Sequence, residues 1–151
     1  MKKLSIIYHT QSKSTEKIAN YIYEGCLKEN SVETHMQLAA EADSSTLLSS
    51  NGIIFGTPEN FGYMSGALKD FFDRTFYQVE HKNINLPYCT FVSAGNDGTG
   101  AVSSIERIAS GYPLIKVAEP LIISGKQVNS NKKRCIDFGH GMAAGLALGI
   151  Y

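Results

Sequence analysis

The sequence predicts an α/β fold in which one parallel β-sheet lies between two layers of helices. Two observations predict it. Four apolar runs are continuous rather than alternating, which is typical of strands buried on both faces of a parallel sheet; they cover residues 4–8, 52–56, 88–92 and 121–123. A stretch with helical spacing follows each run, and alternation of strand and helix implies right-handed crossovers. At 151 residues, the chain is expected to form one domain, residues 1–151.

The remaining elements follow in chain order. After the first strand, a helix is predicted over residues 14–28, because Ile18, Ile22 and Cys26 recur at helical spacing and Ser14 or Thr15 can cap its start. A weaker run at residues 32–38 predicts an edge strand, which brings the sheet to five strands. The apolar spacing predicts further helices over residues 44–49, 65–76, 102–110 and 131–148.

Composition and charge exclude several classes of function. Lys and Arg number 14 and Asp and Glu number 14, so the chain has no basic field to attract nucleic acid or anionic lipid. Three widely spaced cysteines fit neither a disulfide framework nor a C-x-x-C pair, which predicts a reducing compartment. No segment has the pattern of a signal peptide or approaches the roughly 20 apolar residues of a membrane span. We expect a cytoplasmic protein that binds neither nucleic acid nor membrane.

The four histidines have no carboxylate or cysteine at ligand spacing, so no metal site is expected. His9 differs from the others in its location. It stands at the start of the first loop, where it either lies near a ligand or packs against the protein. We favour the packed interpretation.

The first loop, residues 10–15, joins the first strand to the first helix. In an open parallel sheet, ligands bind beyond the carboxyl ends of the strands. Backbone N–H groups at a helix N-terminus bind phosphate, and four hydroxyl side chains can add hydrogen bonds. No G-x-G-x-x-G turn follows this strand and no G-x-x-x-x-G-K-[ST] occurs anywhere, so a terminal monophosphate is the predicted ligand group. The alternative is that Ser14 and Thr15 only cap the helix.

The loops after the third and fourth strands, residues 56–66 and 93–100, also have the composition of a binding site. Each places glycines and small polar residues at the end of a buried strand. Such a backbone can approach a flat ring closely and hydrogen-bond to its edge. Phe61 or Tyr63 can supply an aromatic face.

These three loops, with residues 67–74 after the second of them, resemble the flavodoxin-like superfamily. Within it, the nearest resemblance is to NAD(P)H-dependent FMN reductases and flavodoxin-fold quinone reductases. The similarity covers essentially the whole chain, and residues 56–66 are its most specific part. It implies a flavodoxin-like three-layer sandwich with strand order 2-1-3-4-5 and helices on both faces. It also implies one non-covalently held FMN as cofactor and NAD(P)H as electron donor.

The resemblance further implies which residues hold FMN. The first loop would bind the phosphate, residues 57–62 would contact the isoalloxazine ring near N5, and residues 93–100 would wrap its pyrimidine side. The full set is Thr10, Gln11, Ser12, Lys13, Ser14, Thr15, Thr57, Pro58, Glu59, Asn60, Phe61, Gly62, Ser93, Ala94, Gly95, Asn96, Asp97, Gly98, Thr99 and Gly100. No catalytic acid, base or nucleophile is required, because the cofactor carries the redox chemistry.

Two members of this set attract particular expectations. Lys13 stands where the family's phosphate loop often has glycine, and its charge would favour a nearby phosphate. Glu59 is expected near the ring, where its carboxylate would disfavour an anionic reduced flavin and lower the redox potential.

The resemblance leaves the function open between an enzyme and a carrier. Dedicated flavodoxins are strongly acidic, which helps them dock with basic redox partners, whereas this chain is neutral. We therefore predict an oxidoreductase that reduces a quinone, flavin or similar acceptor with NAD(P)H, as a monomer or homodimer. The alternatives are a flavodoxin-type electron carrier with a redox protein partner and a non-catalytic domain that has retained the fold.

Three glycines lie four residues apart near the end of the chain, Gly141, Gly145 and Gly149. This spacing places them on one helix face, where the backbone can approach a neighbour closely. Packing of that face on the protein's own sheet is the prediction, and a second subunit is the alternative.

Overall fold

Seven strands and five α-helices make up the fold in the computed structural model, which describes residues 1–151. The strands are β1 (Lys2–Tyr8), β2 (Val32–Leu38), β3 (Gly52–Asn60), β4 (Tyr63–Met64), β5 (Pro87–Ala94), β6 (Ile115–Lys116) and β7 (Leu121–Ser124). The helices are α1 (Ser14–Cys26), α2 (Ser44–Ser49), α3 (Gly66–Val79), α4 (Thr99–Gly111) and α5 (Lys132–Ala147). None of these helices combines the length and the apolarity that crossing a bilayer requires.

The parallel order predicted from the resemblance is confirmed. The sheet runs β2-β1-β3-β5-β6, with β7 also paired to β5 and β4 antiparallel to β3. The sheet has seven strands instead of the predicted five because β4 is added beside β3 and because β6 and β7 share the fifth position, one beside each end of β5. Pro120 lies between them and has no N–H to donate to a ladder, so it interrupts the strand.

Each central strand is buried on both faces, as its continuous apolar run predicts. Ile6 and Ile54 pack in one core, with the helices α1 and α5. Ile7 and Phe55 pack in the other, with α2, α3 and α4. Each such side chain contributes roughly 1.5–3 kcal/mol on burial, so the two cores together fix the sheet and hold its carboxyl edge in place.

Helices α1 and α5 approach each other through two glycines. A Cβ on Gly25 would lie 2.0 Å from the carbonyl oxygen of Ile136, and one on Gly139 would lie 2.0 Å from that of Ile22. By contrast, Gly141 faces open space. The prediction that Gly141, Gly145 and Gly149 pack on the sheet is wrong, because Gly145 faces the Tyr151 ring and Gly149 lies beyond α5 at a φ of 69°.

Candidate functional site

A cleft of about 540 Å³ opens at the carboxyl edge of the sheet. Twelve residues line it: Gln11, Ser12, Ser14, Pro58, Glu59, Asn60, Ser93, Ala94, Gly95, Ser124, Gly125 and Lys126. They follow or end β1, β3, β5 and β7, because parallel strands bring their carboxyl ends to one edge. The structure therefore brings parts of all three predicted loops together.

The loop after β7 was missed by the sequence prediction. Ser124, Gly125 and Lys126 close one side of the cleft, and the N–H of Gly125 donates to the carbonyl of Ala94 at 3.2 Å. The hydroxyl of Ser14 lies 3.4 Å from the carbonyl oxygen of Gly125, to which it donates. Applying the carboxyl-edge rule to the last strand, and not only to the first, third and fourth, would have found these residues.

The first turn of α1 is capped differently from the prediction. Lys13, not Ser14 or Thr15, occupies the N-cap position, and no side chain caps the helix there. The hydroxyl oxygen of Thr10 accepts a 3.3 Å hydrogen bond from the N–H of Glu16. The N–H groups of Ser14 and Thr15 have no partner within the protein, so the positive end of α1 can accept an anion.

Lys13 adopts a left-handed backbone conformation, with a φ of 76°. This conformation costs a residue with a Cβ about 1–2 kcal/mol and favours glycine, which explains why glycine is usual at this place in the resembling family. The Lys13 ammonium lies 3.5 Å from the Glu16 carboxylate and is mostly exposed.

A second, smaller cavity of about 240 Å³ lies beside the first loop. Lys13, Lys17 and Lys126 all line it, together with Ser12, Ser14 and Gly125 from the main cleft. Glu16 offsets the charge of Lys13, whereas Lys17 and Lys126 form no salt bridge, so they make this end of the cleft electropositive. An anionic group is therefore favoured there.

Three of the four predicted hydroxyls already form hydrogen bonds within the protein, that of Ser14 being the bond to the Gly125 carbonyl. Thr10 bonds to the α1 backbone, and Thr15 donates to the hydroxyl oxygen of Ser93 at 3.1 Å. Neither Thr10 nor Thr15 lines the cleft, whereas Ser12 and Ser14 do.

The segment after β3 is a tight hairpin rather than a long loop. Strand β3 continues to Asn60, and Phe61 and Gly62 both have positive φ, 53° and 67°, as a two-residue hairpin turn requires. The Phe61 side chain is fully exposed at the tip and does not line the cleft. Thr57 is also outside the cleft: its hydroxyl donates to the Pro58 carbonyl at 2.7 Å and accepts from the Ser65 N–H at 2.9 Å.

The glycine-rich loop after β5 turns into α4 three residues earlier than predicted. Ser93, Ala94 and Gly95 line the cleft, whereas residues 96–100 do not. Asp97 accepts hydrogen bonds from the N–H and hydroxyl of Thr99, at 3.0 and 2.9 Å. These contacts build the start of α4 and do not face the cleft.

Glu59 lines the cleft, yet its carboxylate turns toward α4. It accepts hydrogen bonds from the N–H groups of Gly98, Gly100 and Ala101, at 3.3, 3.1 and 3.2 Å. The positive end of a helix offsets the charge of a carboxylate placed there, which weakens its field elsewhere in the cleft. The basis for expecting Glu59 to act on the redox potential through its charge is therefore weaker.

His9 does not line the cleft. Its backbone N–H donates to the Gly56 carbonyl at 3.1 Å, and its Nδ1 is buried without a partner. Burial lowers the pKa of His9, which favours the neutral ring. This placement agrees with the packed interpretation.

The lining and the size of the cleft suit a phosphate-bearing cofactor. A phosphate fits the unpaired N–H groups of α1 and the Ser12 and Ser14 hydroxyls. A Cβ on Gly95, which also lines the cleft, would meet no atom within 4 Å, so the backbone there borders open space. The volume falls within the range of small-molecule sites. Fold and cleft together define a flavodoxin-like α/β protein.

The chain belongs to the family of NADPH-dependent FMN reductases, which it matches over residues 16–126. It is 33% identical over 130 residues to a flavodoxin of Clostridium saccharobutylicum, covering 85% of this chain and 72% of that one. It is 30% identical over 100 residues to a flavodoxin of Aquifex aeolicus, covering 66% and 54%. An NAD(P)H dehydrogenase (quinone) of Acidithiobacillus ferrooxidans is 30% identical over 96 residues, covering 50% and 48%.

The match therefore spans only about half the length of two of these three relatives. Solved structures agree on the fold. A flavodoxin from the domain Archaea superposes with a TM-score of 0.79 at 16% identity, covering 94% of this chain and 96% of that one. A flavodoxin, WrbA-like protein from Agrobacterium tumefaciens superposes with a TM-score of 0.76 at 16% identity, covering 95% and 96%.

Proposed function

We propose that this chain, as a single domain, holds one FMN in the cleft and is an oxidoreductase that uses NAD(P)H to reduce a small acceptor such as a quinone or a flavin. One observation carries the proposal. Unpaired N–H groups and two hydroxyls lie at a cleft that is also bordered by open backbone at Gly95. Membership of the NADPH-dependent FMN reductase family supports it.

The phosphate end is formed by the first loop and α1. The N–H groups of Ser14 and Thr15 point outward from the helix start, where they donate to an anion. Ser12 adds a hydroxyl donor, and Ser14 adds a second by exchanging its long 3.4 Å bond to the Gly125 carbonyl for one to the phosphate. Lys126 adds a positive charge from the loop after β7. A dianionic phosphate is stabilised by both kinds of contact.

The ring end is formed by two short backbone segments. Pro58, Glu59 and Asn60 border one side, and Ser93, Ala94 and Gly95 border the other. These are the proposed direct contacts. The remaining residues of the predicted set do not line the cleft, and we assign them to supporting the segments that do: Thr10, Lys13, Thr15, Thr57, Phe61, Gly62, Asn96, Asp97, Gly98, Thr99 and Gly100.

Bound FMN would supply the redox chemistry between NAD(P)H and the acceptor. The protein's part is to hold the ring, shape access to it and set the charge around it. The lining side chains are mostly hydroxyls, amides and small groups. Such groups form hydrogen bonds but do not transfer protons as acids or bases. No residue is assigned a catalytic acid or base role.

A flavodoxin-type electron carrier is the second candidate. The two flavodoxin relatives favour it, one of them at 33% identity. Against it stands the equal number of basic and acidic residues, 14 of each, because a carrier that docks on basic partners needs an acidic surface. The two candidates share the cofactor and differ in the electron donor.

Anaerobic reduction of the FMN-loaded protein separates the two candidates. Protein saturated with FMN and freed of excess is mixed with NADPH, and then with NADH, while the visible absorption of oxidised flavin is recorded. Bleaching within seconds supports the oxidoreductase. Bleaching only with dithionite favours the carrier, and loss of all flavin during removal of the excess contradicts both.

A further inference from the structure

The two walls at the ring end of the cleft are joined by a set of contacts between the β3–β4 hairpin and α4. Besides the Glu59 hydrogen bonds, the N–H of Met64 donates to the Ser104 hydroxyl at 3.1 Å. The turn also lies directly on α4, because a Cβ on Gly100 would come within 2.1 Å of the Gly62 carbonyl oxygen. The hairpin and the start of α4 therefore behave as one unit.

Glu59 supplies acceptors for three N–H groups at the start of α4 that Asp97, which accepts from Thr99, leaves without a partner. The N-cap position is Gly98, at a φ of 75°, and it has no side chain. The first N–H groups of a helix need acceptors, and both Glu59 oxygens serve, one for Gly98 and one for Gly100 and Ala101. Hydrogen bonds to an ionised carboxylate are stronger than neutral ones.

The hydrogen bonds of Glu59 lie just beyond the point where the ladder between β3 and β5 ends. The ladder between β3 and β5 ends at the pair Pro58 and Ser93. Beyond it, the hairpin and the loop that follows Ser93 diverge around the cleft, and the backbone ladder does not connect them. Glu59, one residue past the last pair, provides the next connection.

We infer that Glu59 is a positioning residue: its carboxylate fixes the loop of residues 95–98 against the hairpin, so that the ring end of the cleft is preformed. The inference rests on the proposed function, because it concerns the end of the cleft assigned to the flavin ring. Glu59 acts here through its hydrogen bonds to the α4 backbone, and not through its charge on the cofactor. Preforming a site reduces the ordering cost of binding.

The inference predicts how affinity responds to the length and charge of this side chain. In E59Q one carboxylate oxygen becomes an NH2 that cannot accept from a backbone N–H, and the charge is lost, so only the weaker bonds at the remaining amide oxygen can form. In E59D the charge remains but the shorter side chain no longer reaches α4. Both variants should bind FMN and riboflavin about tenfold more weakly, by equal factors, because the defect lies at the ring end shared by the two ligands.

Asp43 provides a matched control. Its carboxylate caps α2 by accepting from the N–H groups of Ser45 and Thr46, at 2.9 and 3.2 Å, and neither it nor α2 lines the cleft. D43A thus removes a carboxylate cap elsewhere in the protein. It should leave the dissociation constants of both flavins unchanged.

The experiment measures flavin dissociation constants, the midpoint potential of bound FMN, and amide hydrogen exchange in the flavin-free protein. We expect faster exchange at Gly98, Gly100 and Ala101 in E59Q and E59D, with equal weakening of FMN and riboflavin. Three results would overturn the inference: wild-type affinity in both variants, weakening of FMN alone, or a midpoint shift in E59Q with unchanged exchange.

Failure of the proposed function would look different. Wild-type protein would then bind neither FMN nor riboflavin, while exchange at the three α4 amides would still report whether Glu59 protects them. If E59Q does not fold, the test rests on E59D, because this variant keeps the negative charge and only shortens the side chain. Wild-type affinity of a folded E59D for both flavins would overturn the inference.

Discussion

The hydroxyl of Thr15 donates a 3.1 Å hydrogen bond to the hydroxyl oxygen of Ser93, and both side chains are buried. Thr15 lies in the first turn of α1 and Ser93 near the end of β5, so the bond joins two of the segments that border the cleft. It gives Thr15 a structural role in place of a direct phosphate contact through its hydroxyl.

Removing this bond should lower stability more than it lowers flavin binding. T15V keeps the shape of the side chain and removes the donor, and S93A removes the acceptor. Each should cost about 1 kcal/mol in the free energy of unfolding by urea, with a coupling of about 0.5–1.5 kcal/mol in the double-mutant cycle. Strictly additive costs would show that the two hydroxyls do not interact.

Replacing Lys13 by glycine should stabilise the protein. The left-handed conformation at Lys13 suits glycine, so K13G should raise the free energy of unfolding by about 1 kcal/mol. K17G is the control, since Lys17 is inside α1 and glycine there should cost about 1 kcal/mol. Equal destabilisation by the two changes would contradict the strain assigned to Lys13.

Gly139 and Gly141 lie two residues apart in α5, on roughly opposite faces of the helix. Their replacement by alanine should therefore have opposite effects on stability. At Gly139 a methyl group would strike the Ile22 carbonyl of α1, so G139A should destabilise by roughly 2 kcal/mol or more. At Gly141 no atom lies within 4 Å, so G141A should stabilise by up to about 1 kcal/mol through helix propensity. Thermal unfolding of both variants measures the contrast. Similar midpoints would contradict the close approach of α1 and α5.

The buried thiols should make the protein less stable in alkaline solution. Burial raises the pKa of Cys26 from its ordinary 9.0 to about 12 and that of Cys135 to about 11. The unfolded chain therefore loses these protons at lower pH than the folded chain. The stability contributed by the protonated thiols is complete below about pH 8 and falls as the pH rises from about 9 toward 11.

Urea unfolding at pH 8 and pH 10 tests this pH dependence. The free energy of unfolding should fall between the two, and C135A should reduce the fall, because alanine has no proton to lose. Burial raises the pKa of Tyr88 and Tyr112 to about 12, which acts in the same direction at higher pH. A free energy equal at pH 8 and pH 10 would rule out this account.

The fold was predictable because its signals are local. Continuous apolar runs identify the central strands, since Ile6 and Ile7 pack on opposite faces and both must be apolar. The split of the last strand around Pro120 was not predicted, because it depends on where the chain rejoins β5. The spacing of glycines near the end of the chain led to the wrong prediction of the packed face of α5, since sequence alone does not show which helix face meets α1.

The cleft was predicted in outline and not in its details. Composition identified residues 10–15 and the turns after β3 and β5. It did not show that Glu59 reaches a helix 39 residues away, or that Thr15 bonds Ser93 across the sheet edge. Such contacts arise only when the sheet brings separated segments together. Lys126 was missed because only three of the strand ends were considered.

The most direct test of the central claim compares the binding of FMN and riboflavin, which differ by the phosphate. Fluorescence titration should show that wild-type protein binds FMN at least a hundredfold more tightly, because the charged hydrogen bonds at the start of α1 exist only with the phosphate. The double variant S12A/S14A should lose about tenfold for FMN and leave riboflavin unchanged. Equal affinity of the wild-type protein for both flavins, or binding of neither, would contradict an FMN site in this cleft.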